Sequence, residues 1–351
     1  MPLRFRFLVL TSFVFALLSL RAESASWRVV RDEFIEPAPA VPEVHASTIV
    51  EAGDGSLVAS WFGGSKEGND DIDIWVSRFE RGAWTTAVVA ATGEEPDGRR
   101  YPTWNPVLHR ADDGRLILFI KVGPSPEKWW GEFLVSHDHG RTWGERQKLP
   151  DGVLGPIKNK AVRLADGTIV SPSSFEYDAK HWAVRIERTD AQLRRWTVSP
   201  DVADPQRLGA IQPSILVHAD GRLQALCRSS VRQLVQTWST DGGVTWSPLE
   251  PTQLFMPNSG LDAVTLRDGG FLLVYNPSPK DANPKSWGER RPLVVAHSDD
   301  GLAWTTILTL ETAPNRHGYA YPAVIQSGDG RVHITYTWNR ARIKHVVLEA
   351  R

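Results

Sequence analysis

The chain has 351 residues, of which 23% are charged, and its formal net charge is −1. Acidic and basic residues are mixed along it, which gives no support for a nucleic-acid-binding protein or a polybasic membrane-binding surface. Cys227 is the sole cysteine, so the chain forms no intrachain disulfide. Its 15 Trp residues are a high count, which is typical of repeat cores and of surfaces that stack on sugars.

The first segment of the chain has two arginines, an apolar run from Phe7 to Leu20, and then small residues. This order is typical of a secretory signal peptide, whereas a membrane anchor needs a run of about 20 apolar residues. We expect a signal peptide at 1–25 and a single mature domain at 26–351. The protein would be secreted or periplasmic, with no stable membrane insertion after the signal is removed.

A repeated pattern follows, in which an alternating apolar run leads into Asp-Gly and then into a second apolar run. "NPVLHRADDGRLILFI" and "QPSILVHADGRLQALCR" are two of its six copies. Each copy predicts a β-hairpin with a tight turn, and the spacing fits one four-stranded sheet per copy. The Asp-Gly pairs lie at 54/55, 113/114, 166/167, 220/221, 268/269 and 329/330.

A second motif, "SHDHGRTW" at 136–143, recurs as "STDGGVTW" at 239–246 and as "HSDDGLAW" at 297–304. Aligned on the Trp, the copies share the pattern S-x-D-x-G-x-T-W, with His297 in the Ser position of the last copy. His137 and His139 occupy variable positions, so the motif predicts a turn between outer strands with a Trp packed between sheets. No metal site and no cofactor are predicted.

Six such units predict an all-β fold, a six-bladed β-propeller of four-stranded antiparallel blades with low helix content. The last repeat has too few residues after its Asp-Gly turn for four strands. The strand-like segment "SWRVVRDEFIE" at 26–36 is therefore expected to complete the last blade and close the ring.

These motifs, together with "WFGGSKEGNDDIDIWVSR", "YPTWNPVL", "KNKAVRLADG" and "PNSGLDAV", resemble the sialidase (neuraminidase) superfamily, in its bacterial sialidase-like BNR-repeat branch. The resemblance covers about residues 40 to 348. It implies three arginines that bind a substrate carboxylate, a Tyr nucleophile activated by a Glu, and an acidic residue on a loop of the first blade. Bidentate arginine bonds suit a carboxylate, and sialidases use a Tyr nucleophile.

Counting back from each Asp-Gly turn carries these roles to this chain. The resemblance implies Tyr321 as nucleophile, with Tyr319 as second choice. It also implies Arg228 and Arg290 as two of the carboxylate-binding arginines; Arg290 is preferred to its neighbour Arg291 by its R-x-x-L spacing.

Two positions depart from the family pattern. Gln212 stands where the family has the Glu, and His45 stands where it has the first Arg. An amide does not accept a proton near neutral pH, whereas His45 could bind an anion or act as a base. The departures indicate a changed substrate or a base that comes from elsewhere.

The segment "GGSKEGNDDIDIW" at 63–75 occupies the place of the family's acid/base loop, and Glu67, Asp70 and Asp71 are its candidate acids. A solvated acidic loop is the alternative. Polar residues at the starts of innermost strands face the channel, where they line the substrate site or only solvate it. They are Asn105, Lys158, Asn159, Asn258 and Asp262. Trp129 and Trp130 would form a sugar-stacking platform or pack at the blade rim.

The leading hypothesis is an exported glycoside hydrolase of sialidase type that releases a terminal, anionic sugar from a glycan, and acts as a monomer without a nucleic-acid partner. A second hypothesis keeps the propeller for another glycosidase or a polysaccharide lyase, with His45 and Tyr321 as base and acid. A third is a non-catalytic glycan-binding propeller. Gln212 favours the second and third, while Tyr321 with Arg228 favours the first.

Overall fold

A computed structural model describes residues 26–36, 40–178, 180–279 and 288–351, so the expected signal peptide lies outside the described residues. The described residues form strands and no helix. Among them, no helix is long and apolar enough to span a membrane. Up to the third sheet the strands are β1 (Trp27–Phe34), β2 (Glu43–Glu51), β3 (Leu57–Gly64), β4 (Asp73–Glu80), β5 (Ala83–Trp84), β6 (Val88–Ala91), β7 (Thr103–Arg110), β8 (Leu116–Val122), β9 (Trp130–Ser136), β10 (Gln147–Lys148), β11 (Val162–Arg163), β12 (Ile169–Glu176), β13 (Trp182–Thr189) and β14 (Trp196–Val198).

The second half of the chain repeats the same order of inner hairpin and outer strands. Its strands are β15 (Ala210–Val217), β16 (Leu223–Ser229), β17 (Gln233–Ser239), β18 (Glu250–Phe255), β19 (Asp262–Thr265), β20 (Phe271–Tyr275), β21 (Leu293–Ser298), β22 (Thr305–Glu311), β23 (Tyr319–Gln326), β24 (Val332–Trp338) and β25 (Arg342–Ala350).

These strands form six antiparallel sheets arranged in a ring, which confirms the predicted six-bladed β-propeller. The first five blades are β2 to β6, β7 to β10, β11 to β14, β15 to β18, and β19 to β22. The sixth is β23, β24 and β25 with β1 at its outer edge. Residue Trp27 pairs with Ala350 and Phe34 pairs with Lys344, so the N-terminal strand closes the ring as predicted.

The six Asp-Gly pairs all form the predicted turns between the two inner strands of a blade. At each of them the glycine has a positive φ, between 79° at Gly55 and 93° at Gly269. This left-handed conformation is open to glycine without a steric penalty, which is why Gly follows Asp in every copy.

The "SHDHGRTW" motif also forms the predicted turn. The Asp138 carboxylate accepts hydrogen bonds from the Thr142 amide at 2.9 Å and the Thr142 hydroxyl at 2.6 Å, while Ser136 Oγ accepts one from the Gly140 amide at 2.7 Å. Trp143 packs on the core between the first two blades. The motif therefore stabilises the blades, and it lies after the end of β9, at the same end of the blade as the Asp-Gly turn.

In the fifth blade the alignment on Trp304 is wrong by one residue. Ser298 Oγ donates to the Asp300 carboxylate at 2.9 Å, and Asp300 accepts from the amides of Leu302 and Ala303 at 2.8 Å. Ser298, not His297, is therefore the serine of this motif. The turn is one residue shorter than in the other two copies, a deletion that alignment on the Trp hides.

Candidate functional site

Four of the innermost strands contain a bulge at the same position, near the start of the strand. The residue at the bulge lies eight positions before the Asp of the Asp-Gly turn, and a register shift follows it. All four residues have positive φ: Ala46 (55°), Asn105 (33°), Gln212 (56°) and Tyr321 (52°). Left-handed backbone in a residue other than glycine is strained by about 1–3 kcal/mol and occurs often at functional sites.

Buried polar side chains donate hydrogen bonds to the backbone carbonyls at and near these bulges. Asn159 Nδ2 donates to the carbonyls of Gln212 at 3.1 Å and Pro213 at 3.0 Å. Lys158 Nζ donates to the carbonyls of Pro322 and Leu261, the latter at 2.9 Å. The predicted substrate-binding residues Lys158 and Asn159 therefore lie beneath the site, where they hold neighbouring blades in register.

Asp262, also predicted to bind substrate, has a similar position. Its carboxylate accepts hydrogen bonds from Ser214 Oγ at 2.7 Å, Lys160 Nζ at 2.8 Å and the amide of Val324 at 2.9 Å. It is buried and connects the inner strands of three blades. Its polar atoms serve the fold, because a buried carboxylate needs such partners.

Above the bulges lies a cavity of about 300 Å³ at one mouth of the channel. It brings together six of the residues predicted for the site: Glu67, Asn105, Gln212, Arg228, Arg290 and Tyr321. Trp104 and Trp129 line it as well, with ring centroids 5.9 Å apart in an edge-to-face arrangement. Trp130, the other residue expected to stack on a sugar, is not part of the cavity lining. Its indole nitrogen donates a hydrogen bond to Glu132 at 2.7 Å.

Tyr321 lies at the centre of the polar contacts in this cavity. Its hydroxyl accepts a hydrogen bond from Arg228 Nη1 at 2.7 Å, and Gln212 Nε2 is 3.5 Å away. The guanidinium of Arg228 lies 5.8 Å and that of Arg290 5.9 Å from the centre of the phenol ring. Lys158 Nζ is 5.8 Å from the same ring, but burial lowers the pKa of Lys158 to about 7, so the two arginines are the groups beside this side chain that are fully charged at neutral pH.

Arg228 is buried and held entirely by neutral groups among the described residues. Its Nε donates to Asn258 Oδ1 at 2.7 Å, its Nη2 to the Asn258 carbonyl at 3.0 Å, and its Nη1 to Gln212 Oε1 at 3.2 Å. Asn258, which was predicted to bind substrate, thus orients the arginine. Without a carboxylate partner, the positive charge of Arg228 remains available to an anion in the cavity.

Arg290 comes from the segment before β21 and has no side-chain hydrogen bond or ion pair with the described residues. Burial lowers the pKa of Arg290 to about 10, with the nearby charges of Arg228 and Arg340 acting in the same direction. The guanidinium is still charged at neutral pH. A bound anion would relieve the repulsion among these arginines.

His45, which stands where the family has its first arginine, lies behind Tyr321 and outside the cavity lining. Its ring centroid is 4.2 Å from that of Tyr321, and its Nδ1 is 3.0 Å from Thr337 Oγ1. Burial, followed by the charges of Arg340 and Arg290, holds the pKa of His45 well below its usual range. The imidazole is therefore neutral and provides no positive charge for an anion.

Two of the three acids predicted on the 63–75 loop do not reach the cavity. Asp71 accepts hydrogen bonds from the Ser65 amide at 3.0 Å and the Ser65 hydroxyl at 2.8 Å, which shape the loop itself. Asp70 is exposed, and its carbonyl accepts from Arg100 Nε at 2.8 Å. Tyr319, the second choice for the nucleophile, is buried and donates its hydroxyl to the Ala313 carbonyl at 2.8 Å.

Five residues that the sequence did not predict also line the cavity, and three of them are charged or aromatic: Arg340, Glu176 and Trp182. Arg340 lies on the loop between β24 and β25, and it forms an ion pair with Glu67. Glu176 ends β12 and pairs with Trp182, which begins β13. Strand direction could have predicted these residues. The second strand of each hairpin ends at the mouth where the innermost strand begins, so residues just after it lie near the site.

Residues 55–334 match a family model described as a BNR repeat-like domain. The chain belongs to this family. No curated protein sequence is significantly similar to it. This membership agrees with the expectation from the turn motifs. The matched residues begin after strand β2 and end within strand β24, so they include the inner hairpins of the second to fifth blades in full.

Solved structures with the same fold include a protein of unknown function from Dyadobacter fermentans DSM 18053. It has a TM-score of 0.75 and 17% identity, with 93% of this chain and 100% of that chain covered. The Hadza microbial sialidase Hz136 has a TM-score of 0.72 and 18% identity, over 88% of this chain and 66% of that one. The intramolecular trans-sialidase from Ruminococcus gnavus has a TM-score of 0.66 and 13% identity, over 88% and 95%. This family member therefore has the fold found in sialidases.

Proposed function

We propose that the protein is an exported glycoside hydrolase that releases a terminal sugar carrying a carboxylate, with sialic acid as the default substrate class. The observation that carries the proposal is the convergence of Arg228, Arg290 and Arg340 with the Tyr321 hydroxyl on one cavity. Two carboxylates, Glu67 and Glu176, line the same cavity. The cavity thus contains cations that can bind a carboxylate, a candidate nucleophile and two candidate acids.

The arginines support recognition of a carboxylate. Guanidinium groups bind carboxylates through paired, charge-assisted hydrogen bonds, which are about twice as strong as neutral ones. Arg228 and Arg290 have no acidic partner among the described residues, and Arg340 is the third guanidinium. It takes the place of the arginine that the family resemblance implied at position 45, but it comes from the last blade instead of the first.

Tyr321 is suited to attack the anomeric carbon. Arg228 donates to its oxygen at 2.7 Å and stabilises the negative charge that develops there. Gln212 does not take the proton, because an amide is not a base near neutral pH. We propose that the hydroxyl proton is lost to buffer or hydroxide of the bulk solvent as the oxygen–carbon bond forms. When water later breaks that bond, Tyr321 takes a proton back from the solvent.

The aromatic walls support a sugar ligand. Trp104, Trp129 and Trp182 line the cavity with Asn105, whose amide can bind a hydroxyl group. Indole faces pack on the C–H faces of sugar rings, while a few polar groups fix the orientation. His45 lies outside the lining and behind Tyr321, so its position does not favour the lyase hypothesis, in which it would be a base.

The experiment is a panel of chromogenic glycosides that includes a sialoside and uronides, with Tyr321→Phe as the test variant and Tyr319→Phe as the matched control. Tyr319 lies two residues away in the same strand, and its hydroxyl binds a carbonyl outside the cavity. We expect hydrolysis of an acidic glycoside that falls at least about 1,000-fold in Tyr321→Phe and within about threefold in Tyr319→Phe.

Three outcomes contradict the proposal in different ways. Activity that survives Tyr321→Phe removes this residue from the nucleophile role. An unsaturated product from a uronide-containing polysaccharide shows a lyase. Binding of an acidic sugar without turnover of any glycoside shows a binding propeller.

A further inference from the structure

We infer that Glu176 donates the proton to the leaving group, an inference that rests on the proposed glycoside hydrolase function. The acid candidates in the sequence all lie on the 63–75 loop of the first blade. Glu176 instead lies at the end of β12, in the third blade, and its side chain is part of the cavity wall.

The end of β12, which carries Glu176, contacts both β13 and the fourth blade. It pairs with Trp182 across β12 and β13, and both residues line the cavity. Two residues earlier in β12, Ser174 Oγ accepts a hydrogen bond from the backbone N–H of Gln212 at 3.1 Å. The end of β12 is therefore tied to the bulge of the fourth blade, where the family resemblance implied a Glu and this chain has Gln212.

The two carboxylates of the cavity lie in opposite environments. Glu67 forms an ion pair with Arg340. Glu176 has no ion pair and no side-chain hydrogen bond with the described residues. Burial raises the pKa of Glu176, opposed by Arg228 and assisted by the negative charges of Glu127 and Glu67. A carboxyl group whose pKa is raised by its surroundings is suited to act as the proton donor of a glycosidase.

The step balances with the residues of the cavity. The proton of the Glu176 carboxyl passes to the glycosidic oxygen while the bond from that oxygen to the anomeric carbon breaks. The electron pair of the bond stays on the oxygen, so the leaving group departs as a neutral alcohol, and the anomeric carbon bonds to the Tyr321 oxygen. The ionised Glu176 then takes a proton from the water that attacks the anomeric carbon, which restores its protonated form.

The test compares Glu176→Gln with wild type on two substrates of the same sugar, a 4-nitrophenyl sialoside and sialyl-lactose. A good leaving group needs little protonation, whereas a sugar alcohol needs it fully. We expect kcat/KM to fall at least about 100-fold for sialyl-lactose and less than about 10-fold for the nitrophenyl substrate. The basic limb of the pH profile on sialyl-lactose should disappear.

Glu127→Gln is the matched control, because Glu127 is exposed and affects Glu176 only through its charge. It should retain activity, and because it removes a charge that raises the pKa of Glu176, its basic limb should move to lower pH. Glu176→Asp keeps the carboxyl and should retain part of the activity on sialyl-lactose. Thermal unfolding of each variant shows whether it is folded.

Equal losses on both substrates, or full activity of Glu176→Gln on sialyl-lactose, overturn the role of Glu176 while leaving the hydrolase function standing. Wild-type protein that cleaves neither substrate, nor any other acidic glycoside, removes the proposed function and the role of Glu176 with it. The two failures are therefore distinguishable.

Discussion

Arg340 and Glu67 form an ion pair across the point where the last blade meets the first. Arg340 lies on the β24–β25 loop and Glu67 on the β3–β4 loop, and both line the cavity around Tyr321. One of the three guanidinium groups in the cavity is thus already bound to a carboxylate of the protein. A carboxylate of the substrate that reaches Arg340 has to displace Glu67 or share the guanidinium with it.

Substitution of Arg340 should weaken the binding of an acidic substrate more than it slows turnover. A hydrogen bond to a charged group contributes about 1.5–3 kcal/mol, so Arg340→Gln should raise KM by about 10- to 150-fold, with a smaller change in kcat. Steady-state kinetics and calorimetry with free sialic acid measure both effects. Arg195→Gln is the control, because this arginine is exposed and follows β13 at the opposite end of the blade. An unchanged KM in Arg340→Gln would exclude Arg340 from substrate binding.

Substitution of Glu67 tests the competition for Arg340. Glu67→Gln removes the charge that the substrate has to displace, so free sialic acid should bind about three- to tenfold more tightly. Calorimetry in low salt measures the change, and Arg340→Gln in the same background should abolish it. Weaker binding in Glu67→Gln would contradict the competition. A loss of kcat above about 100-fold on sialyl-lactose would instead support the acid role that the sequence indicated for Glu67.

The strained bulges predict an unusual result for a buried alanine. Ala46 has a φ of 55°, so Ala46→Gly relieves a left-handed conformation that disfavours a side chain by about 1–2 kcal/mol. The loss of a buried methyl, about 0.8 kcal/mol, and the greater conformational entropy of glycine in the unfolded chain, about 0.5–1 kcal/mol, oppose this gain. We expect the free energy of unfolding to change by less than about 1 kcal/mol in either direction. Ala210→Gly, buried at the start of β15 and without a positive φ, should lose about 1.5 kcal/mol. Urea unfolding compares the two variants, and equal losses would argue against strain at Ala46.

The turn motif of the fifth blade predicts different effects for two adjacent aspartates. Asp300→Asn should lower the free energy of unfolding by about 1–2 kcal/mol at pH 7, because its carboxylate accepts the hydrogen bonds of the turn. Asp299→Asn should have almost no effect, since its side chain is 96% exposed. A larger loss of unfolding free energy in Asp299→Asn than in Asp300→Asn would show that Asp299 is the aspartate of the motif, as alignment on Trp304 has it.

The contribution of Asp300 should also depend on pH. Hydrogen bonds from the amides of Ala303 and Leu302 lower the pKa of Asp300 below its ordinary value of 3.8. The stabilisation is therefore present above about pH 3.8 and is lost as the pH falls through the lower pKa of the folded state. The difference between wild type and Asp300→Asn should shrink over that range, which thermal unfolding at several pH values measures. A difference that is constant from pH 7 to pH 2 would contradict this.

Much of the fold could be predicted because its signals are local and repeated. An Asp-Gly turn between two apolar runs predicts a hairpin by itself, and six copies predict six blades. Counting from those turns also placed Gln212, Arg228 and Tyr321 at one mouth of the channel. It succeeded because the bulge lies at the same distance from the turn in four blades, including those of Gln212 and Tyr321.

The remaining residues of the cavity depend on contacts between distant parts of the chain. Arg340 and Glu67 are 273 residues apart, and no local pattern relates them. Whether His45, Lys158 and Asn159 face the cavity or lie beneath it was decided by the packing of inner strands from different blades. The sequence by itself determined the number of blades, the closing strand and the register of the inner hairpins, because these follow from short-range periodicity. The tertiary structure alone decided which charged groups meet at the mouth, because closure of the ring brings together loops that the sequence separates.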